Sequence, residues 1–415
     1  MVATAAYDEG IAQLLRSPAR PLRACGACRG IGMRRGRRSG LRRCEPCEGA
    51  GIVPGVPEAA LGSPKVAICG GGIAGLATAL ALQHRGIAAT VFERDESFWS
   101  RPPGYGLTLQ QGGRALRALG ILDLVRDAGV WTGTHRSLAS SGALLGVHGS
   151  GTRKNEKQHY AVHAPRQAVR AVLLSQLGSG TVRWAAPINT LPDFPVIVGA
   201  DGIRSATRRA ALDIDYPLRE TGLTVVLGKG PPGARDVFEV VDGAARLYAM
   251  PYDRSNATMW QLSWPGESEN LRESALAVVR GWSDAFPEFE DLVARTNDLT
   301  GYPIYDRDEE DLRTLPHRLP PNVVLMGDAA HPMCPFKAQG ANQALLDAIS
   351  FARRFATLPA PQAIASYYED MVPRAAAKIA ASRRAATLLH SEAALAPASR
   401  SLTRAAAAAA QHHHS

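Results

Sequence analysis

Hydrophobic positions along this chain fall into short unbroken runs and longer helical stripes. Val66-Ala67-Ile68-Cys69 is wholly apolar and opens into Gly70-Gly71-Gly72-Ile73-Ala74-Gly75. Residues 194–201 (FPVIVGAD) and 322–326 repeat the pattern, running into Asp201-Gly202 and Gly327-Asp328. Apolar runs without alternation suit strands buried on both faces, as in a parallel sheet. Elsewhere the period lengthens. It predicts helices over 113–119, 270–284 and 340–355, and a helix or helix pair over 362–395. A further helix is predicted over 164–177, with Val169, Val172, Leu173 and Leu177 on one face. Residues 220–265 differ: 223–227, 237–241, 246–250 and 258–262 are strand-like and closely spaced, which predicts an antiparallel meander. The whole reads as α/β, a Rossmann-like parallel unit carrying an inserted antiparallel sheet at about 215–300, with helices at the C-terminal end.

The first glycine cluster is G-x-G-x-x-G at a strand end, followed after about 18 residues by Val91-Phe92-Glu93-Arg94. Gly70 makes the tight turn, Gly72 lets backbone approach a pyrophosphate, and Gly75 lets the helix pack on the sheet. The N–H groups of Ile73, Ala74 and Gly75 open a helix whose positive end favours phosphate. Glu93 can accept from a ribose diol. By itself this motif leaves flavin and nicotinamide dinucleotides open.

Two further motifs stand at later strand ends: Gly199-Ala200-Asp201-Gly202-Ile203-Arg204-Ser205, and 327–335 (GDAAHPMCP) followed by Pro335-Phe336-Lys337-Ala338-Gln339-Gly340-Ala341-Asn342. Together the three resemble the single-component, FAD-dependent aromatic hydroxylases, the group of para-hydroxybenzoate hydroxylase, over residues 65–375. The resemblance implies a flavoprotein monooxygenase that uses NADH or NADPH, the choice being open, to hydroxylate an aromatic or polyketide-like small molecule. It implies that Asp328 accepts from a ribityl hydroxyl. Arg94 and Arg166 would contact the adenosine and the phosphate or ribityl part, and Asp201 would lie near FAD and the donor's path. The loop from Pro335 through Ala338, Gln339, Gly340, Ala341 and Asn342 would face the flavin ring. Two departures stand out. The group usually has Gly where Ala338 stands, and more sheet where only 182–193 is available here, interrupted by Pro187 and Pro192. These keep a non-catalytic, partner-binding homologue as the alternative.

Four of six cysteines form two copies of C-x-x-C-x-G-x-G, at Cys25, Cys28, Gly30, Gly32 and at Cys44, Cys47, Gly49, Gly51. Four thiolates suit one tetrahedral Zn²⁺ with no open position for chemistry; a redox C-x-x-C is the alternative. The repeat is similar to the cysteine-rich module of DnaJ co-chaperones, which implies a protein partner; a stabilising cap is the equal alternative.

Composition sets outer bounds. Apolar content of 46% and charge content of 20% over 415 residues suit a globular protein of two to three domains. No apolar run is long enough to span a bilayer, and the N-terminus lacks a signal-peptide pattern. Residues 1–24 read as a leader; a cytoplasmic location is expected, with an organelle transit segment as the alternative. Net charge is +9, and residues 1–51 hold ten Arg against Asp8, Glu9, Glu45 and Glu48. The run Arg34-Arg35-Gly36-Arg37-Arg38 has no interleaved aromatic residue to stack bases, so it reads as offsetting a negative metal site, and no nucleic-acid partner is expected. The expected division is leader 1–24, zinc module 25–51, linker 52–64, monooxygenase domain 65–375, then helix and tail 376–415.

Smaller candidates have ordinary readings beside sharper ones. Cys69 and Cys334 read as packed residues before reactive thiols, and His331 as a packing imidazole before a general base. Tyr248, Met250, Trp260, Gln261 and Trp264 lie on the meander, where alternate members should line a substrate pocket. Residues 301–307 are placed where they can close it.

Overall fold

The computed structural model describes residues 2–35, 40–60, 65–101, 104–148, 162–212, 217–255 and 257–396. The 405–410 alanine tail, and Gly36-Arg37-Arg38 of the basic run, lie outside them.

Among the described residues the parallel sheet has five strands, in the order Val182–Arg183, Ala89–Phe92, Val66–Cys69, Val196–Gly199, Val323–Leu325. Neighbours run parallel throughout. The strands Val66–Cys69, Val196–Gly199 and Val323–Leu325 are buried along their whole length, where the sequence is unbroken apolar. The Ile73–Gln83 helix is apolar on nearly every side, because it lies between this sheet and the Gly340–Phe355 helix.

Among the described residues the second sheet has seven strands: Thr300–Asp306, Arg219–Pro232, Ala257–Pro265, Arg246–Pro251, Val237–Val241, His135–Ala139, Leu144–His148. It is therefore larger than the expected 215–300. The two strands at 135–148 escape a hydrophobic pattern because each is only five residues, HRSLA and LLGVH, with no clean alternation; their turn signal is Ser140-Ser141-Gly142, with Gly142 at φ +85°. Side chains alternate across the sheet. Trp260, Leu262 and Trp264 pack on the Leu271–Arg280 and Glu288–Ala294 helices. Met250, Tyr252, Met259 and Val225 pack on the other side, with Cys334 and Phe336.

Two expectations need correction. Residues Val2–Leu15 are a helix rather than an unspecified leader. Ile11, Leu14 and Leu15 fall on one helical face and meet Ala168 and Ala171 of the Arg166–Ser175 helix. The break at 375 is not a boundary, since one helix runs Ala360–Leu389 and its last turns, Ala386 and Leu389, pack against the second sheet. The 182–193 segment holds a two-residue edge strand, Val182–Arg183, the shortening the sequence indicated.

A candidate dinucleotide cleft and a four-cysteine centre

The glycine motifs come together at the carboxyl ends of the parallel strands, where ligands bind in such sheets. A Cβ on Gly70 (φ +108°) would stand 2.6 Å from the Ala200 carbonyl oxygen, and one on Gly75 would stand 1.9 Å from the Gly70 carbonyl oxygen. Both positions are closed by protein. Gly72 is not, since its Cβ would have only the Ala200 oxygen, 4.0 Å away, within reach. It caps the Ile73–Gln83 helix with no side-chain partner for the first-turn N–H groups. Gly72 therefore fronts open space, and its neighbours Ile73, Ala74 and Gly75 offer N–H groups to it.

Glu93 is buried beside this turn. It accepts from the Gly71 N–H (2.7 Å), the Asp95 N–H (3.1 Å) and Arg101 Nη2 (3.0 Å). Of about four acceptor sites on a carboxylate, one is left for a ligand hydroxyl. Arg94 is largely exposed next to it. Behind the turn lies Arg170, buried and stacked on Phe98 and Trp184, with Nε donating to the Gly71 carbonyl (2.8 Å). Burial, then neighbouring Arg101, lowers its guanidinium to about 10. Sequence reading missed Arg170; a charge on the apolar side of an amphipathic helix was the available signal.

Asp328 follows the Val323–Leu325 strand. It is exposed to the cleft yet crowded by protein elsewhere, so desolvation raises its carboxyl while His331 and Arg166 oppose the shift. Gly340 opens the next helix, and a Cβ there would stand 3.7 Å from Asp328 Oδ1. Arg166 begins its own helix, its N–H bonded to the Tyr105 carbonyl (3.1 Å). Tyr302 joins the group from the edge strand, its phenol raised by burial and by Tyr105 and Asp328, lowered by Arg166. The 301–307 run thus does reach the cleft. Tyr105 and Tyr302 are both partly exposed, 38% and 44%.

The loop after Asp328 is held from behind. The Asp347 carboxylate accepts from the Gly327 N–H (2.9 Å) and Arg374 Nη2 (2.9 Å), and pairs with His331 Nε2 (2.7 Å). His331 is thus a packing imidazole. Asp347 and Arg374 were not singled out from sequence. Asn342 is fully used by protein: Oδ1 accepts from the Gln110 and Gly112 N–H groups, and Nδ2 donates to the Thr108 and Ala338 carbonyls. The Gln339 side chain donates to the Lys337 carbonyl (3.0 Å). Pro335 begins the short turn Pro335–Lys337 that ends at Ala338. Their side chains shape the loop, and the first-turn N–H groups of Gly340, Ala341 and Asn342 have no side-chain cap. Asp201 caps the Ala206–Ala211 helix, accepting from Ser205 Oγ and from Thr207 N and Oγ1 (2.9 and 3.0 Å). Cys69 and Cys334 are buried, and desolvation pushes both thiols up to about 12, against reactivity.

The four module cysteines form one cluster. All four Sγ atoms lie within 4.8 Å of one another; Cys25–Cys44 is 4.0 Å and Cys28–Cys47 is 3.7 Å. Tetrahedral ZnS₄ at about 2.3 Å per bond needs sulfurs about 3.8 Å apart. The two knuckles repeat one conformation. Gly32 and Gly51 lie at φ +83° and +85°, and their N–H groups reach Cys28 and Cys47 Sγ at 3.2 and 3.3 Å. The cross-links repeat too: the Cys25 N–H donates to the Gly51 carbonyl and the Cys44 N–H to the Gly32 carbonyl, both 2.9 Å. This donor set fits one zinc ion.

Known proteins bear on both sheets. Residues 194–382 match the FAD binding domain family, and residues 65–102 match the FAD dependent oxidoreductase family. A 3-amino-4-hydroxybenzoate 2-monooxygenase of Streptomyces cremeus is 31% identical over 360 residues, covering 79% of this chain and 88% of the relative. A phenazine 1,6-dicarboxylic acid hydroxylase of Lysobacter antibioticus is 29% identical, covering 69% and 81%. The fold is that of Klebsiella pneumoniae HpxO complexed with FAD and uric acid (TM-score 0.66, 19% identity, 79% of this chain and 89% of the other).

Proposed function

This chain belongs to the FAD-dependent monooxygenases, and from that premise we propose that it uses NAD(P)H to hydroxylate a small aromatic or polyketide-like acid, with one structural zinc ion in its N-terminal module. It is an FAD-dependent oxidoreductase. Bound FAD supplies the redox chemistry, taking two electrons from the nicotinamide and activating O₂.

The protein's part is binding, alignment and exclusion of water. Gly72 and the N–H groups of Ile73, Ala74 and Gly75 would hold the pyrophosphate, with Gly70 setting the turn. Glu93 would take the ribose diol and Arg94 the adenosine. Arg166 and Asp328 would take the ribityl and phosphate portion. The N–H groups of Gly340, Ala341 and Asn342, shaped by Pro335, Ala338 and Gln339, would put the positive end of a helix where negative charge develops on the ring. Asp201 would act through the turn it caps. The observation that carries this reading is the meeting of Asp328, Arg166 and Gly340 beside the open space at Gly72.

The substrate reading rests on the sheet face turned toward Phe336. Arg246 is buried, paired with Glu239 (2.6 Å) and placed over the Phe336 ring, yet among the described residues its Nη1 has no partner; neither has Gln261 Nε2 on the adjacent strand. A substrate carboxylate, phenolate or carbonyl would satisfy both donors, and the two relatives above are named for carboxylated aromatics. The test is FAD loading followed by a screen of aromatic acids for substrate-stimulated NAD(P)H oxidation. FAD-loaded protein that no nicotinamide reduces decides for the alternative, a flavoprotein recruited to a partner through residues 25–51. The short edge strand Val182–Arg183 and Ala338 favour that second reading.

A further inference from the structure

The cysteine module is clamped to the far ends of the two helices whose near ends face the cleft. The Ile73–Gln83 helix starts at Gly72 and is followed by His84 and Arg85; the Gly340–Phe355 helix carries Arg353 in its last turn. At that end the His84 carbonyl accepts from the Ala24 N–H (2.8 Å). Arg85 Nη2 donates to the Gly30 carbonyl (3.1 Å), and Arg353 Nη2 to the Ala50 carbonyl (3.3 Å). The Arg353 Nη2 would stand 3.4 Å from a Cβ on Gly32 and 3.3 Å from one on Gly51. These are equivalent positions of the two knuckles, so the guanidinium lies on their pseudo-twofold axis.

Arg85 Nη1 also donates to the Ala81 carbonyl in the last turn of its own helix (2.7 Å), an ordinary cap, but this supplies no counter-charge. Arg85 is 93% buried, and among the described residues the buried Nε atoms of Arg85 and Arg353 have no partner. Among the described residues no carboxylate pairs with either. They face the cysteine knuckles instead, Arg85 at the Gly30 carbonyl and Arg353 between Gly32 and Gly51. A buried guanidinium and a half-buried one without counter-ions are costly. A zinc ion on four thiolates carries a charge of about −2, which two guanidiniums neutralise.

We propose that Arg85 and Arg353 are the counter-charges of the metal centre. The centre is thereby shared between the module and the nucleotide-binding domain, and metal occupancy is coupled to FAD affinity through the two helices. This rests on the zinc reading above. Outer partners of a metal site are worth about 10- to 100-fold in affinity, and coupling between two binding sites is reciprocal.

The test uses the full chain loaded with FAD. Zinc release to increasing chelator is followed with a metallochromic indicator, and FAD release by flavin fluorescence. Wild type should hold one zinc per chain. Arg353→Met and Arg85→Met should each release it at about 10-fold lower chelator, and Arg353→Lys should stay close to wild type. Removing zinc from wild type should weaken FAD binding about 5-fold or more. Methionine variants that fold, by circular dichroism, and hold zinc as tightly as wild type would overturn the proposal. So would unchanged FAD affinity in zinc-stripped wild type, a measurement that decides even if the variants fail to fold. Wild type that never contains zinc would remove the metal reading beneath it, an outcome elemental analysis separates from the others.

Discussion

His331 Nε2 and Asp347 Oδ2 face each other across 2.7 Å, and neither side chain has exposed surface. Arg374 holds the other Asp347 oxygen, and the Gly327 N–H shares the first. Burial raises the Asp347 carboxyl, but His331, Arg374 and the Gly327 N–H outweigh it and hold it below its ordinary value. Asp347→Ala would leave Arg374 without its buried partner and free the Gly327 turn. The expected loss is about 3–5 kcal/mol in urea unfolding, with reduced FAD retention; a loss under about 1 kcal/mol would contradict this. The carboxylate's contribution is present above about pH 4, where the unfolded group ionises, and is lost as pH falls below that.

Ala338 adopts φ +51°, ψ +37°, the left-handed region where the related hydroxylases usually carry Gly. Its N–H bonds to the Pro335 carbonyl and its own carbonyl accepts from Asn342, so the conformation is enforced. Ala338→Gly should raise stability by about 1 kcal/mol. Thermal unfolding checks this, and an unchanged or lowered midpoint counts against it.

His163 is buried between Thr108 Oγ1 (3.1 Å) and Thr132 Oγ1 (2.7 Å). Burial, then nearby His135, lowers its imidazole to about 4. The native group stays neutral while the unfolded one protonates near 6.5. Stability is therefore full above about pH 6.5 and falls as pH drops toward 4, by on the order of 3 kcal/mol. His163→Gln should flatten that slope in unfolding curves taken at pH 7 and pH 4.5; an unchanged slope would assign it elsewhere.

Glycines and strand ends were readable because each has a local reason. Gly70 needs a positive φ, Gly72 needs open space, and an unbroken Val/Ile run needs burial on both faces. The four cysteines were readable for the same reason, as spacing alone brings them together. Arg170, Asp347, Arg374, Arg85 and Arg353 were not, because their partners come from distant segments and nothing local marks them. The short strands at 135–148 were missed likewise, being stabilised by their neighbours in the sheet rather than by their own pattern. Tyr248, Met250, Trp260, Gln261 and Trp264 were separable only once the register was known: Tyr248 pairs with Gln261 on one face, while Trp260 donates to Thr296 on the other.

Arg246 lies over both Tyr248 (4.9 Å) and Phe336 (5.4 Å), and among the described residues one of its buried donors is unpaired. If that donor meets the substrate, Arg246→Met should raise KM for an acidic aromatic about 10-fold or more while leaving KM for the nicotinamide unchanged. Equal effects on both would mean a general loss of structure.

The central claim is that the cleft at Gly72, Asp328 and Gly340 holds FAD in an enzyme that activates oxygen. Anaerobic absorbance spectroscopy of the FAD-titrated full chain tests it most directly. One FAD per chain should bind, its yellow absorbance should bleach on adding NADH or NADPH, and it should return on admitting air, faster turnover following addition of an aromatic acid. A protein that takes up no FAD, with Asp328→Ala indistinguishable from wild type in the same titration, would contradict the account.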